Sequence, residues 1–416
     1  MQNTQDITAT LSTDLKFLIA CCQMEPSADD ITFIYSYLNA EDFHINALID
    51  LAYQHAILPL VYKTLLALNA DTPVSKEQEG CKKLNDASNS PLNPQILTEL
   101  KAHYMHISQR NMLMSAELIR IMKLLEDNDI EALAFKGPTL AQLVYGDITL
   151  RQYIDLDILV DESDLRKTGL LLDNHAYIPS FPIKILKNET CLSVINDLSF
   201  HNQTNSVFIE LHWKLFREKI GKHLSFKKIA HNKQTEKING KSLNTLSSEM
   251  LLVYLCLHGA KHAWERIEWI SDIDRLVRSQ TYLDWGKTIA ISKEMDTLVT
   301  LYLGLALSHT LFRTPLPKNI IADLQTKHTK ALISKTFKLL SGILSENESY
   351  AKYSAIHMYQ MNLLDTKIKK LNHLFTTYFG ISRNDCQEFP LPSSLKFLYI
   401  FIKPLRVIYK YLKFKK

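Results

Sequence analysis

Residues 130–160 read IEALAFKGPTLAQLVYGDITLRQYIDLDILV, and they carry the clearest secondary-structure signals in the sequence. IEALAF is a short apolar run typical of a buried strand, and it ends at Lys136-Gly137-Pro138, where proline suits the first turn of a helix. PTLAQLVY has the helical pattern, and YIDLDILV then alternates as a strand does. The stretch therefore predicts a strand, a helix and a second strand.

A third strand is predicted near residue 206, in SVFIELHWKLF. Period-two alternation places Glu210 and His212 on one face of this strand and the apolar residues between them on the other. In YIDLDILV the same rule places Asp155 and Asp157 together, opposite an apolar face. The pattern predicts a small mixed β-sheet with acidic residues on two of its strands.

Helical periodicity dominates the rest of the chain, in residues 12–70, from residue 94 to about 128, and from residue 240 to the end. The stretch 71–95 is polar, carries three prolines and is typical of a linker or loop. We expect an α+β fold in three parts. These are an N-terminal helical region (1–100), a core with the sheet (101–220) and a C-terminal helical domain (221–416).

Composition excludes several common binding loops. The 416 residues include eleven glycines, well below the usual share of about 7%, and no two glycines stand two residues apart. The glycine-rich loops of dinucleotide-binding folds, protein kinases and P-loop enzymes are therefore unsupported. The net charge of +4 is too small to predict a nucleic-acid partner.

Cysteine usage and the N-terminal sequence predict a cytoplasmic protein. The six cysteines include no C-x-x-C pair, so we expect reduced thiols. The first residues lack the basic and apolar segments of a signal peptide. No apolar stretch approaches the roughly 18 residues that indicate a membrane span.

The acidic pair is the strongest chemical signal in the sequence. Carboxylates at positions i and i+2 of a strand point the same way and can share a cation, without which they repel each other. Glu210 adds a third acid on another strand. Three such acids suit a site for two Mg²⁺ ions that holds a triphosphate and an attacking hydroxyl. From the pair alone, a solvated strand face is an equally good interpretation.

Together these residues resemble a known family. LAFKGPTLAQLVYGDITLRQYIDLDILV followed by FIELHWKLF is similar to the uncharacterised nucleotidyltransferase family of the DNA-polymerase-β-like superfamily, which carries K-G, R-x-x-D-x-D and an acidic-x-H-W strand. The likeness covers most of the chain apart from residues 71–95. It implies that residues 101–220 are a nucleotidyltransferase core. It also implies transfer of a nucleoside monophosphate from an NTP to an acceptor hydroxyl or phosphate, with release of pyrophosphate.

The resemblance assigns the acids to a metal site. Asp155 and Asp157 would bind Mg²⁺, or Mn²⁺ in its place. Glu210 would complete the site near the acceptor and take the acceptor's proton. These three residues are therefore the predicted catalytic and metal-binding set.

Phosphate contacts follow from the same resemblance, with one departure. Gly137 would face phosphate, but the usual Gly-Ser of the superfamily is Gly137-Pro138 here, so the serine contact is missing. Lys136 and Arg151 would then neutralise the triphosphate. The structural alternatives are a solvated Lys136 at a strand end and an Arg151 that pairs with a neighbouring aspartate.

A second motif, HGAKH at 258–262, places His258 and His262 on one face of a helix. This is metal-ligand spacing, but the glutamate of H-E-x-x-H is missing, so zinc is the weaker interpretation. We expect the two histidines to contact the nucleotide or the acceptor.

The acceptor stays open between a small molecule, a protein and RNA. One alternative function is a toxin-like transferase that acts on tRNA, since such enzymes have a similar K-G and D-x-D arrangement. Another is a nucleotide-binding or scaffold protein that has lost catalysis. The basic, amphipathic C-terminal segment (392–416) predicts either docking onto its own domain or contact with an anionic surface.

Overall fold

A computed structural model describes residues 11–71, 92–216, 221–280, 282–341 and 349–414. The N-terminal part is helical. Its elements are α1 (Thr13–Cys22), α2 (Ala28–Leu38), α3 (Ile45–Gln54), α4 (Leu58–Asp71) and the long α5 (Pro94–Glu126). The polar stretch predicted as a linker lies mainly outside the described residues, which omit 72–91.

The central part contains the sheet. Its elements are β1 (Ala132–Ala134), α6 (Gly137–Tyr145), β2 (Asp155–Val160), α7 (Leu165–Asn174), β3 (Tyr177–Pro179), α8 (Glu189–Val194), β4 (Asp197–Asn202) and β5 (Phe208–His212). The predicted strand, helix and strand of residues 130–160 are therefore confirmed. The strand order is β1-β2-β5-β4-β3, with β2 and β5 parallel and the other pairs antiparallel.

The C-terminal part is helical apart from one hairpin. Its elements are α9 (Phe226–His231), β6 (Gln234–Ile238), β7 (Lys241–Thr245), α10 (Ser248–Lys261), α11 (Ile267–Ser279), α12 (Trp285–Glu294), α13 (Leu298–Phe312), α14 (Lys318–Leu324), α15 (Lys327–Ser341), α16 (Ser349–Leu363), α17 (Lys367–Tyr378), α18 (Arg383–Glu388) and α19 (Tyr399–Phe414). The expected α+β class is confirmed. The three-part division stays a prediction, and α5 runs through its first boundary at residue 100.

Both faces of the sheet are covered, which corrects the picture of a strand with one solvated face. On one face, Leu156 and Ile158 pack with side chains of α5. On the other, Leu159 joins a core that includes α10. Asp157, on this second face, is only 2% exposed, whereas Ile154, predicted to be on the apolar face, precedes the strand and is 54% exposed. Period-two alternation assigns residues to faces but not the element that covers each face.

The hairpin of β6 and β7 is a second difference, because a helical pattern was expected from residue 240 onward. The two strands pair antiparallel through a two-residue turn. Asn239 and Gly240 occupy that turn with φ values of +49° and +77°. Asn-Gly with both φ angles positive is the usual chemistry of a tight hairpin turn. The hairpin packs against β1 and α6 and so extends the core beyond residue 220.

The state of the cysteines and the apolar length of the helices can be compared with the expectations from sequence. All five described cysteines are buried free thiols, and Cys81 lies outside the described residues. Within the described ranges, no helix is both long and apolar enough to cross a membrane.

Candidate functional site

The predicted acids meet where β2 and β5 run side by side. In the parallel register Asp157 is directly opposite Glu210, and Asp155 is opposite Phe208. Residues paired in this way point to the same face of the sheet. The third predicted acid is therefore brought beside the pair by strand pairing, although it lies more than fifty residues away in the chain.

Asp157 is the buried centre of the site. Its Oδ1 accepts a hydrogen bond from the Lys136 ammonium at 2.9 Å and lies 3.1 Å from Nε2 of His212. Burial alone would raise the pKa of Asp157, but the Lys136 charge and the His212 hydrogen bond outweigh it and lower that pKa. Oδ2 is also buried and has no hydrogen-bond partner among the described residues. Asp157 is thus ionised with one oxygen free to bind a cation.

Asp155 has a different environment. Burial raises its pKa to about 6, and the charges of Asp157 and Glu210 add to the increase. Lys136 opposes this shift only in part. A cation bound near Asp155 would therefore stabilise its ionised form and lower its pKa.

His212 joins the cluster as a residue that the sequence did not assign to the site. Its Nε2 lies 3.4 Å from Oε2 of Glu210 as well as 3.1 Å from Asp157. Hydrogen bonds to these two carboxylates overcome burial and raise its pKa to about 9, so the ring is protonated at neutral pH. Ligand atoms of Asp157, Glu210 and His212 all lie within 4.8 Å of one another. Alternation in E-L-H had placed His212 on the same face as Glu210, but it gave the histidine no catalytic or metal-binding role.

Aromatic residues form the wall beside this cluster. Phe135 packs edge-on against His212, with ring centroids 5.2 Å apart, and edge-on against Tyr254 of α10. The Lys136 ammonium lies 6.0 Å from the centre of the Tyr254 ring. Tyr254 sits within an apolar helix, and no sequence signal distinguished it from a core residue. Its position shows that α10 covers the acidic face of the sheet.

Gly137 starts α6 at a point where a larger residue would not fit. Its φ is +55°, and a Cβ atom placed there would lie 3.2 Å from the backbone oxygen of Asp155. Thr139 ties the same turn to the end of β1, because its hydroxyl donates to the carbonyl oxygens of Lys136 and Ala134. The glycine therefore lets the α6 N-terminus approach the first acid closely.

His258 lies in the last turn of α10 and His262 directly follows the helix as its C-cap, with the two ring centroids 4.9 Å apart. Both rings contact Trp269. Burial, and then the nearby Lys136 charge, lower the pKa of His258 well below its usual range, so its imidazole is neutral. The structure thus brings His258 near Lys136. In the described part of the chain, the cluster able to hold a metal consists of Asp157, Glu210 and His212 and includes neither His258 nor His262.

Arg151 lies in a buried ion-pair network. Its Nε is 3.0 Å from Oδ2 of Asp272, and its guanidinium is 3.3 Å from Glu268. Tyr145 also donates to Asp272. The aspartate partner comes from α11 rather than from the neighbouring residues considered in the sequence. Arg151 therefore joins the loop before β2 to α11, and a contact with nucleotide stays a prediction.

A cavity of about 480 Å³ lies beyond His212, between the sheet and the C-terminal helices. The backbone N–H of Trp213 donates to Asn196, which lines the cavity together with Lys214. The far wall includes Thr297 and Asn372. Among the described residues that line the cavity, none belongs to the acidic cluster; Lys214, two residues after His212, is the one nearest to it in the chain, and polar and apolar side chains share the lining.

Comparison with known proteins identifies the family. The sequence profile of a family described as uncharacterised nucleotidyltransferase matches residues 41–313. No curated protein matches the sequence. A structure of the STING-associated CdnE c-di-GMP synthase from Capnocytophaga granulosa is similar with a TM-score of 0.27 and 12% identity, over 80% of this chain and 99% of that one. Because the family match spans well over half of the chain, the protein belongs to the uncharacterised nucleotidyltransferase family and is a nucleotidyltransferase.

Proposed function

We propose that the protein is a Mg²⁺-dependent enzyme that transfers a nucleoside monophosphate from an NTP to an acceptor hydroxyl or phosphate. The observation that carries this proposal is the buried Oδ2 of Asp157 beside Glu210, which has no hydrogen-bond partner in the part of the chain that the structure describes. A free carboxylate oxygen is costly in a protein interior unless a cation or donor reaches it. A second carboxylate on the adjacent strand supplies the rest of a hard, oxygen-rich site.

The donor set fits magnesium. Asp157 and Glu210 supply the carboxylates, Asp155 lies within range of both charges, and Mg²⁺ prefers a few carboxylates with phosphate oxygens and water. When bound, the ions would stabilise the charge on the entering and leaving oxygens of the phosphoryl transfer. His212 would orient Asp157 and Glu210, since its Nε2 contacts both.

The reaction forms a bond between the acceptor oxygen and the α-phosphorus and breaks the bond from that phosphorus to the oxygen bridging to the β-phosphorus. Pyrophosphate leaves, and Glu210, half-buried at the edge of the cluster, would accept the acceptor's proton. Lys136 holds positive charge at the bottom of the site. Gly137 leaves room for the close approach of the helix N-terminus, where phosphate is favoured.

The cavity beyond His212 is the place that we propose for the acceptor. It lies beyond the end of β5 that carries His212, where the backbone N–H of Trp213 donates to the carbonyl oxygen of Asn196 in the cavity wall. A volume of about 480 Å³ is in the range of small-molecule sites and is too small for a folded protein, although a single flexible segment or nucleotide fits. The lining carries three lysines and two aspartates, and Lys369 pairs with both Asp296 and Asp365. Its net charge of +1 favours an acceptor that carries negative charge.

One observation favours the inert alternative. The Lys136 ammonium already neutralises Asp157, and Pro138 stands where the superfamily has its phosphate-binding serine. A permanently bound lysine in place of a metal would leave a nucleotide-binding protein without turnover. The two functions differ in whether Mg²⁺ and NTP together yield pyrophosphate.

The test is incubation of the purified protein with each α-labelled NTP and a cell lysate, with and without Mg²⁺. We expect Mg²⁺-dependent label in one fraction, and the fraction identifies the acceptor: small molecule, protein, or RNA as in the tRNA alternative. Asp157→Asn should abolish the transfer and keep the fold, whereas Asp173→Asn, an exposed aspartate on α7, should retain it. Pyrophosphate release by Asp157→Asn at the wild-type rate would refute the assignment. Binding of NTP without transfer in any lysate would support the inert protein.

A further inference from the structure

An exposed apolar stripe runs along α17. It consists of Ile368, Leu371, Phe375 and Tyr378, which are 80%, 67%, 59% and 62% exposed. Their spacing of three, four and three residues places them on one helical face. Single exposed apolar side chains are ordinary, but four large ones in a row on one helix indicate an interaction surface.

A second exposed apolar group lies on the element packed against α17. Phe397, Ile400, Phe401 and Leu405, at the start of α19 and just before it, are each at least 47% exposed. The buried Lys403 of α19 donates to the backbone oxygens of Thr377 and Gly380, at the C-terminal end of α17. The two apolar groups therefore lie on segments that are hydrogen-bonded to each other, and we call residues 366–406 the C-terminal surface.

The C-terminal surface is also strongly basic. Residues 366–406 contain seven lysines and arginines and two acidic residues, a net charge of +5, whereas residues 1–365 carry −5. Some of this charge is used internally: Arg406 pairs with Asp385, Arg383 with Asp197 and Lys369 with Asp296, and Lys403 is buried. Lys367 and Lys396 are exposed beside the apolar groups. The whole-chain charge of +4 conceals this separation.

The combination of charge and side-chain type selects the partner. A second copy of the chain would place +5 against +5 if the same surface met itself, which opposes association. A nucleic acid would satisfy the lysines but leave the aliphatic ends of Ile368, Leu371 and Leu405 in water, because it recognises aromatic rings and charge. The interface of an anionic bilayer accepts both the apolar side chains and the lysines.

We propose that the C-terminal surface docks the protein on an anionic membrane, with the α17 stripe in the headgroup region and the lysines on lipid phosphates. The protein would lie on the membrane without crossing it. Each lysine near the surface contributes electrostatic attraction, and the apolar stripe contributes burial. This proposal is independent of the transfer reaction.

Vesicle co-sedimentation of the full chain tests the proposal. Wild-type protein should sediment with vesicles that contain phosphatidylglycerol, bind pure phosphatidylcholine much more weakly, and dissociate at high salt. Leu371→Gln with Phe375→Gln should weaken the binding by about tenfold or more. A matched pair on α5, Met112→Gln with Leu113→Gln, replaces equally exposed apolar residues and should leave binding unchanged.

If circular dichroism shows that the apolar variant is misfolded, a charge variant still tests the proposal. Lys367→Gln with Lys370→Gln should weaken binding to the anionic vesicles several-fold and reduce its salt dependence. Equal binding to both vesicle types, or no binding, would overturn the proposal. So would a dimer, measured by light scattering, that the Leu371→Gln and Phe375→Gln changes dissociate. Retention on RNA but not on vesicles would assign the surface to nucleic acid instead.

Discussion

The ammonium of Lys136 lies 2.9 Å from Oδ1 of Asp157, and both side chains are buried beneath Tyr254 of α10. The pair places a fixed positive charge at the point where Asp155, Asp157 and Glu210 of β2 and β5 meet. Because the strand acids repel one another, the positive charge of Lys136 offsets part of that repulsion before any cation binds. Its removal is therefore a direct test of what the site does.

We expect Lys136→Met to reduce nucleotidyl transfer by about 10²-fold, because a preorganised charge beside the triphosphate is lost and the pKa of Asp157 rises. The measurement is pyrophosphate release with saturating NTP and Mg²⁺. Lys123→Met, an exposed lysine on α5, is the control and should keep the wild-type rate. If Lys136 instead blocks the cation position, the variant would gain Mg²⁺ binding and turnover, which would contradict our reading of the lysine.

Gly137→Ala should disable the site through the backbone. Alanine at a φ of +55° costs about 1 kcal/mol, and its Cβ would push against the Asp155 oxygen. Gly146→Ala is a matched control, because Gly146 has a φ of +67° but its Cβ would meet nothing within 4 Å. Gly137→Ala should lose at least as much stability as Gly146→Ala in urea unfolding, and Gly137→Ala alone should also lose transfer activity, by about tenfold or more. Equal activity of the two variants would show that the close approach to Asp155 is unimportant.

Arg151→Met should strongly destabilise the fold. Removing the guanidinium leaves Asp272 and Glu268 buried without their partner, which typically costs about 3–5 kcal/mol. Arg313→Met is the control, because Arg313 is exposed and its pair with Asp30 should contribute at most about 1 kcal/mol. The measurement is the free energy of unfolding in urea. Unchanged stability with a raised KM for NTP would instead support the nucleotide contact predicted from sequence.

His55 predicts a pH dependence of stability. It is fully buried before α4, where Nδ1 accepts from the backbone N–H of Ile267, and burial, aided by the Arg266 charge, lowers its pKa from 6.5 to about 4. A lowered histidine pKa means that the unfolded chain takes up a proton first as the pH falls. His55 should therefore cost no stability above pH 6.5 and about 1.4 kcal/mol per pH unit between 6.5 and 4.

Urea unfolding at pH 7.5 and pH 5 checks this expectation. His55→Gln should be less stable than wild type at pH 7.5, because the site is repacked, but should lose about 2 kcal/mol less on acidification. His175→Gln replaces an exposed histidine, and its free energy of unfolding should fall as much between pH 7.5 and pH 5 as that of wild type. An identical loss in His55→Gln and wild type would assign the acid sensitivity to other groups.

Much of the core could be predicted from sequence because the deciding signals are local. Alternation in YIDLDILV and SVFIELHWKLF identified two strands and the residues that share their faces, and Gly137-Pro138 marked a helix start. The acids of both strands were therefore identified without the fold. The strands β3 and β4 were missed: β3 has three residues, and the apolar alternation of β4 consists of Leu198 and Phe200 alone.

Sequence periodicity identified side chains that lie on the same face of a strand: Asp155 with Asp157, and Glu210 with His212. Only the fold shows that α10 covers this face, that Lys136 and His212 both contact Asp157, and that Arg151 pairs with α11 more than a hundred residues away. The physical reason is that periodicity is a property of one element, whereas burial and charge pairing depend on elements distant in the chain. In a low-dielectric interior those distant partners determine the protonation of each carboxylate.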